Sequence, residues 1–158
     1  MAGRAGYFDD PAFPGCFVCG PDRPTRDGLR IFPGPVPGGA VWAAPWTPDL
    51  SVAAADGRVR PDVVWAALDC PSGIAAGEDA RLPADTTALL GRMSARVAKR
   101  PLPGRPCRVV AWPVARDGRK LVAGSALLDR GGAVLATART VWITVPRAAH
   151  QQTAGATS

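Results

Sequence analysis

Apolar and polar residues alternate along the second half of the chain, and this pattern predicts long β-strands. Residues 89–98 alternate with a period of two, as residues do in a half-buried strand. Turns rich in Pro, Gly and Asp then separate three further extended segments, at 107–116, 120–128 and 134–145. Tight turns between extended segments indicate an antiparallel meander, so we expect four long antiparallel strands.

An unbroken apolar segment ahead of these strands predicts a buried helix. It covers 63–68, continues to residue 76, and follows Asp62, a residue type that can cap a helix N-terminus. A helix that is apolar on every side has no face for solvent and lies inside a fold. Because proline lacks an amide hydrogen, we expect Pro71 to kink or interrupt the helix.

The two ends of the chain carry less regular patterns. Residues 1–28 are rich in Pro, Gly and Asp, contain a C-x-x-C pair, and are predicted to form an irregular cap. Short strands are expected at 29–32 and 39–46, and a disordered tail at 147–158. Residues 29–146 are therefore predicted to form a single α+β domain, a curved antiparallel sheet wrapped around one central apolar helix.

The composition fits one soluble globular domain of 158 residues, 47% of them hydrophobic and 20% charged. The 18 glycines and 17 prolines argue against a bundle of long helices. The net charge of +6 comes from arginines spread along the chain, whereas a nucleic-acid partner would need a basic cluster, so we expect no such partner. No apolar stretch is long enough for an export signal or a membrane span. This predicts a cytoplasmic protein with reduced thiols and no membrane partner.

Four motifs in order resemble the hotdog-fold acyl-CoA thioesterase-like superfamily, in particular its phenylacetate-pathway thioesterase-like group. They span residues 16–146 and read CFVCGPDRPTRDGLRIF, VVWAALDCPSG, SARVAKRPLPG and GRKLVAGSALLDRGGAVLATARTVWI. The resemblance implies a hotdog fold and hydrolysis of an acyl-CoA or acyl-carrier thioester, with coenzyme A as part of the substrate and no separate cofactor. It also implies a homo-oligomer, either a dimer or a dimer of dimers.

The start of the helix departs from the resembling sequences. Many members carry His-Gly-Gly there, whereas this chain has Arg60, Pro61 and Asp62. The backbone N–H groups of Asp62 and Val63 can still polarise a thioester carbonyl as an oxyanion site. Asp62 nevertheless puts a negative charge where the oxyanion would form. This favours an alternative function, a non-catalytic hotdog module that binds an acyl or other apolar ligand or serves in assembly.

Asp69 is the candidate catalytic residue. It is the one carboxylate inside the apolar helix, and burying a carboxylate costs free energy unless the group has a partner or a role. In the resembling family the helix acid activates water or attacks the thioester directly. The residue pattern alone also allows a second interpretation, in which Asp69 caps a segment broken at Pro71. The only histidine, His150, lies in the predicted tail, which argues against triads that need a packed histidine base.

Further side chains are candidates for contacting the substrate. Trp65, about one helical turn from Asp69, is a candidate for lining an acyl pocket or for packing in the core. Cys70 and Ser72 are candidates for the same pocket, and Ser72 is also typical of a turn after proline. Four basic residues are candidates for binding the phosphates of coenzyme A or for an ordinary solvated surface. They are Arg92, Arg96, Arg119 and Lys120.

The cysteines give an incomplete metal signature. Cys16 and Cys19 have the C-x-x-C spacing of half a zinc site. Cys70 and Cys107 follow singly, 51 and 37 residues further on in turn. Because the sequence places neither a third nor a fourth ligand, we predict no bound metal. The pair is then expected to pack as small apolar side chains in the N-terminal cap.

Overall fold

The computed structural model describes residues 6–149, which form one long helix and six strands. The helix, α1, covers Pro61–Asp79. The strands are β1 (Gly34–Pro35), β2 (Trp42–Trp46), β3 (Thr86–Val97), β4 (Cys107–Asp117), β5 (Lys120–Asp129) and β6 (Val134–Pro146). Short 3-10 turns occur at Tyr7–Asp9 and Leu50–Val52. The predicted helix and the four predicted long strands are confirmed.

All six strands form one antiparallel sheet in the order β1-β2-β4-β5-β6-β3. The last three strands make the predicted meander, with Gly118 at a φ of +54° in the turn between β4 and β5. β3 lies at one edge of the sheet beside β6, whereas β2 lies near the other edge. The connection from β2 to β3 contains α1, so the helix crosses the face of the sheet.

One side of α1 packs into the main core. Val63, Val64, Ala67 and Leu68 are almost fully buried and belong to the same cluster as core residues of the sheet. The opposite side of the helix is open, and Trp65 is 40% exposed. The prediction of a helix without a solvent face is therefore wrong, and so is the core interpretation of Trp65. Within residues 6–149, no helix combines the length and apolarity that a membrane crossing needs.

The first turn and the middle of α1 differ from the sequence-based expectation. Arg60 occupies the N-cap position and Pro61 the first helical position, so Asp62 lies inside the first turn and is not the cap residue. Proline is favoured at this position because its missing amide hydrogen has no partner there in any case. The helix also continues through Pro71, and the predicted interruption is wrong.

Individual backbone hydrogen bonds join the N-terminal cap to the segment that follows it. No strand forms at 29–32, because the amides of Leu29 and Ile31 donate to the carbonyls of Phe17 and Val18 in the cap. The second short strand is present but begins later than predicted, as Trp42–Trp46.

The prediction of a disordered tail at 147–158 is wrong for its first three residues. Residues 147–149 are helical, and the Arg147 side chain pairs with Asp10 at 2.6 Å. The backbone amide of Arg147 also donates to the carbonyl of Asp85. The rest of the predicted tail, with His150, lies outside the described residues.

Candidate functional site

A cavity of about 540 Å³ lies between the N-terminal cap, the second half of α1 and the start of β3. Its volume is in the range of small-molecule sites, and its lining is mainly apolar. The apolar lining side chains include Tyr7, Phe13, Ile74, Leu82, Ala88 and Trp142. A pocket of this kind suits a ligand with an apolar portion.

Two helix glycines in the cavity wall have different surroundings. A Cβ atom on Gly73 would lie 2.7 Å from the indole ring of Trp142, closer than atoms can pack. A Cβ atom on Gly77 would meet its nearest neighbour, Cδ1 of Leu82, at an ordinary 3.5 Å. Gly73 is therefore required by the close approach of Trp142, whereas Gly77 is not required by its neighbours.

Ser72 lies at the centre of a buried hydrogen-bond network. Its hydroxyl donates to the carbonyl of Asp69 at 2.7 Å and accepts from Nε1 of Trp142 at 3.0 Å. The Thr140 hydroxyl lies 2.8 Å from the same oxygen, and both hydroxyl residues are fully buried. Ser72 is a helix residue and not a turn residue, so that interpretation is wrong. It does not line the cavity.

Asp69 lies on the same helical turn but has a different environment. The side chain is half-buried, and its buried Oδ1 accepts no hydrogen bond from any residue that the structure describes. Burial raises the pKa of Asp69 to about 6, and negative charge on Cys16 adds to the effect. Because α1 is continuous here, no new helical segment begins that Asp69 could cap. Asp69 does not line the cavity, although the adjacent Cys70 does.

The start of α1, where the oxyanion donors were predicted, carries a charged side-chain pair. The carboxylate of Asp62 pairs with Arg60 at 3.0 Å, which is the main reason that its pKa is lowered. Both oxygens of this carboxylate accept hydrogen bonds from the Arg60 guanidinium, and Asp62 lies in the first turn of the helix. A negative charge thus occupies the start of α1. Asp69 lies six positions after Val63, a distance of about 9 Å along a helix.

The basic residues predicted to bind phosphates are all exposed, and none of the four lines the cavity. Met93 and Ala95 of β3 pack against the core. Because side chains alternate along a strand, Arg92 and Arg96 project from the opposite, outer face of the sheet. Arg119 and Lys120 lie at the turn between β4 and β5.

Two cations that the sequence analysis missed do line the cavity, Arg81 and Arg147. Arg147 reaches it through the contacts with Asp10 and Asp85. Arg81 adopts a positive φ of +50° just after the helix. The local sequence pattern predicts neither the contacts of Arg147 nor the backbone conformation of Arg81. Of the three predicted pocket residues, Cys70 lines this cavity, whereas Trp65 and Ser72 do not.

Three cysteines form a cluster in the cavity wall, which we call the thiol cluster. The sulfur atoms of Cys16, Cys19 and Cys70 all lie within 4.8 Å of one another, and those of Cys16 and Cys70 are 3.5 Å apart. The Tyr7 hydroxyl lies 3.9 Å from Sγ of Cys19. Cys107 does not belong to the cluster, and its thiol donates to a nearby backbone carbonyl.

Hydrogen bonds between the thiols bias where a charge forms in the cluster. Bonds from Cys19 and then from Cys70 lower the pKa of Cys16 far below its ordinary value. The bond to Cys16 is in turn the main cause that raises the pKa of Cys19 and that of Cys70. Burial raises the pKa of the neighbouring Tyr7 as well. In the absence of a cation, the cluster therefore favours a single thiolate.

No protein-family model matches the chain, and no curated protein matches it in sequence. Solved structures do match. RHA08564, a thioesterase superfamily protein, superposes with a TM-score of 0.64 at 15% identity over 73% of this chain and 57% of its own length. The chain thus spans just over half of that protein.

Two further structures match a larger share of their own length. A phenylacetic acid degradation-related protein from Ralstonia eutropha JMP134 has a TM-score of 0.64 at 16% identity, over 73% of this chain and 85% of its own. BH2602 from Bacillus halodurans, solved with CoA, has a TM-score of 0.64 at 16% identity, over 74% and 75%. Likenesses at this level of identity establish the fold. The chain therefore has the hotdog fold found in thioesterase-superfamily proteins, as its four sequence motifs predicted.

Proposed function

We propose that the chain hydrolyses an acyl-CoA or acyl-carrier thioester, with Asp69 as the general base. The observation that carries this proposal is the buried Oδ1 of Asp69, which has no hydrogen-bond donor among the described residues. Buried polar atoms are normally paired, so an unpaired carboxylate oxygen on the residue next to cavity-lining Cys70 is a candidate for chemistry. The fold neighbour BH2602, solved with CoA, supports the choice of ligand class.

In the proposed reaction, the Asp69 carboxylate removes a proton from a water molecule, whose oxygen adds to the thioester carbonyl carbon. The tetrahedral intermediate then collapses with cleavage of the carbon–sulfur bond. The proton held by Asp69 passes to the departing thiolate, so the products are a carboxylic acid and a free thiol. The apolar acyl group would lie in the cavity next to Cys70.

The distance between Asp69 and the start of α1 supports a site built from two copies of the chain. A group that stabilises the oxyanion must lie about 3 Å from the carbonyl oxygen. The amide of Val63, about 9 Å along the helix from Asp69, is too far to serve the same carbonyl. We therefore propose a homodimer in which the oxyanion donors come from the second copy.

The edge of the sheet supports such an assembly. β3 is a 12-residue edge strand, and Leu89 and Leu90 on it are 38% and 40% exposed. Long apolar edge strands are normally covered by another chain or element. Light scattering is expected to give at least twice the 16.3 kDa mass of the chain. A monomer at micromolar concentration would contradict the two-copy site.

One observation favours the second candidate function, a non-catalytic hotdog module that binds an acyl or other apolar ligand. The carboxylate of Asp62 lies in the first turn of α1, and its negative charge opposes an incoming oxyanion. A module of this kind would bind the acyl group in the same cavity without turning the thioester over.

Release of free thiol from a panel of acyl-CoA thioesters separates the two functions. The wild-type chain should hydrolyse at least one of them, and Asp69→Asn should lower kcat about 100-fold, the scale of a lost general base. Asp79→Asn is the matched control, because Asp79 is an exposed acid on the same helix, and it should retain activity. Binding of acyl-CoA without hydrolysis would support the module and contradict the enzyme.

A further inference from the structure

We propose that the thiol cluster binds one zinc ion through Cys16, Cys19 and Cys70, with the fourth coordination position open to the cavity. The sulfur positions carry the proposal. All three lie within 4.8 Å of one another, and the closest pair is 3.5 Å apart. A tetrahedral zinc ion with bonds of about 2.3 Å places its sulfur ligands about 3.8 Å apart, so the ion fits with small side-chain adjustments.

The loop around Cys16 is built like a metal-binding turn. The backbone amide of Gly20 donates to the carbonyl of Cys16 at 2.8 Å, which closes a tight turn around the cysteine pair. A Cβ atom on Gly20 would lie 2.5 Å from that carbonyl oxygen, so only glycine permits this turn. The turn thereby keeps the sulfur atoms of Cys16 and Cys19 within 4.8 Å of each other.

The third sulfur comes from a different element. Cys70 lies on α1, and both it and Cys16 pack against the main core cluster. The cap itself contains one short 3-10 turn and is joined to the following segment by the amides of Leu29 and Ile31. A metal ion shared by the two elements would cross-link the cap to the helix and fix one wall of the cavity.

The chemistry of the ligands selects the metal and its coordination. Three thiolates favour zinc among the abundant divalent ions, since soft sulfur ligands bind it well. Zinc binds thiolates, so its binding releases to solvent the thiol protons that the cluster still holds. No carboxylate or imidazole among residues 6–149 joins the cluster. All three cysteines line the cavity, which leaves the fourth position to a water molecule from it, as in zinc sites that keep an open position.

This assignment replaces the sequence-based expectation of a metal-free chain. That expectation rested on the lack of a third ligand near the C-x-x-C pair, and Cys70 supplies one. It is independent of the proposed hydrolysis, because it follows from the sulfur positions and not from Asp69.

The test is the zinc content of the full chain purified from zinc-supplemented cells. Wild type should contain one zinc per chain, and Cys16→Ser, Cys19→Ser and Cys70→Ser should each lose it. Cys107→Ser is the matched control, a buried thiol outside the cluster, and should keep the metal. Tyr7→Phe should also keep it, because the nearest hydroxyl is not assigned as a ligand.

Cobalt replacement guards against variants that merely unfold. Wild type loaded with Co²⁺ should show thiolate-to-cobalt charge-transfer absorption, and Cys70→Ser should lose this absorption while its circular dichroism stays folded. A chelator should lower the Tm of wild type but not that of Cys70→Ser. A folded, metal-free wild type that fails to take up zinc or cobalt would overturn the proposal. Zinc retained at full stoichiometry in Cys70→Ser, or lost in Tyr7→Phe, would overturn the three-ligand assignment.

Discussion

Ser72 and Asp69 lie on the same turn of α1, yet their buried side-chain oxygens differ in hydrogen bonding. The Ser72 hydroxyl is fully buried and bonded to the Asp69 carbonyl, Thr140 and Trp142. The buried Oδ1 of Asp69 has no donor among the described residues. A satisfied polar group stabilises a fold, whereas an unsatisfied one costs free energy and is retained only for another reason. The turn therefore has a structural side and a side suited to chemistry.

The same division separates the other groups around the cavity. Gly73 and Trp142 belong to the structural side, because their contact leaves no space for a side chain. Cys16 and Cys70 belong to the other side, where their thiol groups lie 3.5 Å apart in the cavity wall. Residue type alone does not separate the two sides, since Ser72 was predicted to contact the substrate. The hydrogen-bond partners of each polar atom separate them.

The largest expected effect on stability tests the structural side through its glycine. Gly73→Ala puts a methyl group 2.7 Å from the Trp142 ring, and we expect it to lower the free energy of unfolding by about 3 kcal/mol. Gly77→Ala is the control in the same helix, where the methyl group fits and alanine favours the helix. Denaturant unfolding of both variants measures the difference. Equal stability would show that Trp142 does not hold the turn.

A smaller loss is expected from the hydroxyl that organises the network. Ser72→Ala leaves Nε1 of Trp142 with the Thr140 hydroxyl alone, and should cost about 2 kcal/mol of unfolding free energy. Ser94→Ala, an exposed serine on β3, is the control and should be neutral. Thiol release from the best acyl-CoA substrate should be unchanged in Ser72→Ala. A selective loss of turnover would move Ser72 to the chemical side.

The smallest expected effect concerns the start of the helix. Asp62→Ala removes the negative charge in the first turn of α1, beside the amides of Asp62 and Val63, while alanine preserves the helix. If those amides stabilise an oxyanion, kcat/KM for thioester hydrolysis should rise modestly and Tm should change little. A fall in kcat/KM at unchanged Tm would instead mean that the Asp62 carboxylate assists the reaction.

The main elements could be predicted because their signals are local. The period of two in 89–98 corresponds to β3, which begins three residues earlier at Thr86. The turn predicted between the segments 107–116 and 120–128 forms at Gly118 and Arg119, between β4 and β5. The expectation for Pro71 was wrong because packing holds this part of the helix, where Pro71 is fully buried. The hydroxyl of Ser125 on β5 donates to the Leu68 carbonyl of the same turn.

The site could be predicted only in part, because its assembly depends on contacts between distant segments. Asp69 stands out locally as an acid in an apolar segment. The approach of Cys70 to Cys16, 54 residues away, depends on how the cap folds back onto α1. The contact of Arg147 with Asp10 spans 137 residues and has no local signal either. These contacts between distant segments determine the position of the cavity, so local sequence patterns could not predict it.

The central claim is that one turn of α1 divides into a structural and a catalytic side. Measuring kcat for thioester hydrolysis and the free energy of unfolding on Asp69→Asn and Ser72→Ala in parallel tests it directly. Asp69→Asn should lose about 100-fold in kcat with stability equal to or above wild type, since an amide is cheaper to bury than a carboxylate. Ser72→Ala should lose stability and keep kcat. If Asp69→Asn instead loses stability while keeping its activity, the account is contradicted.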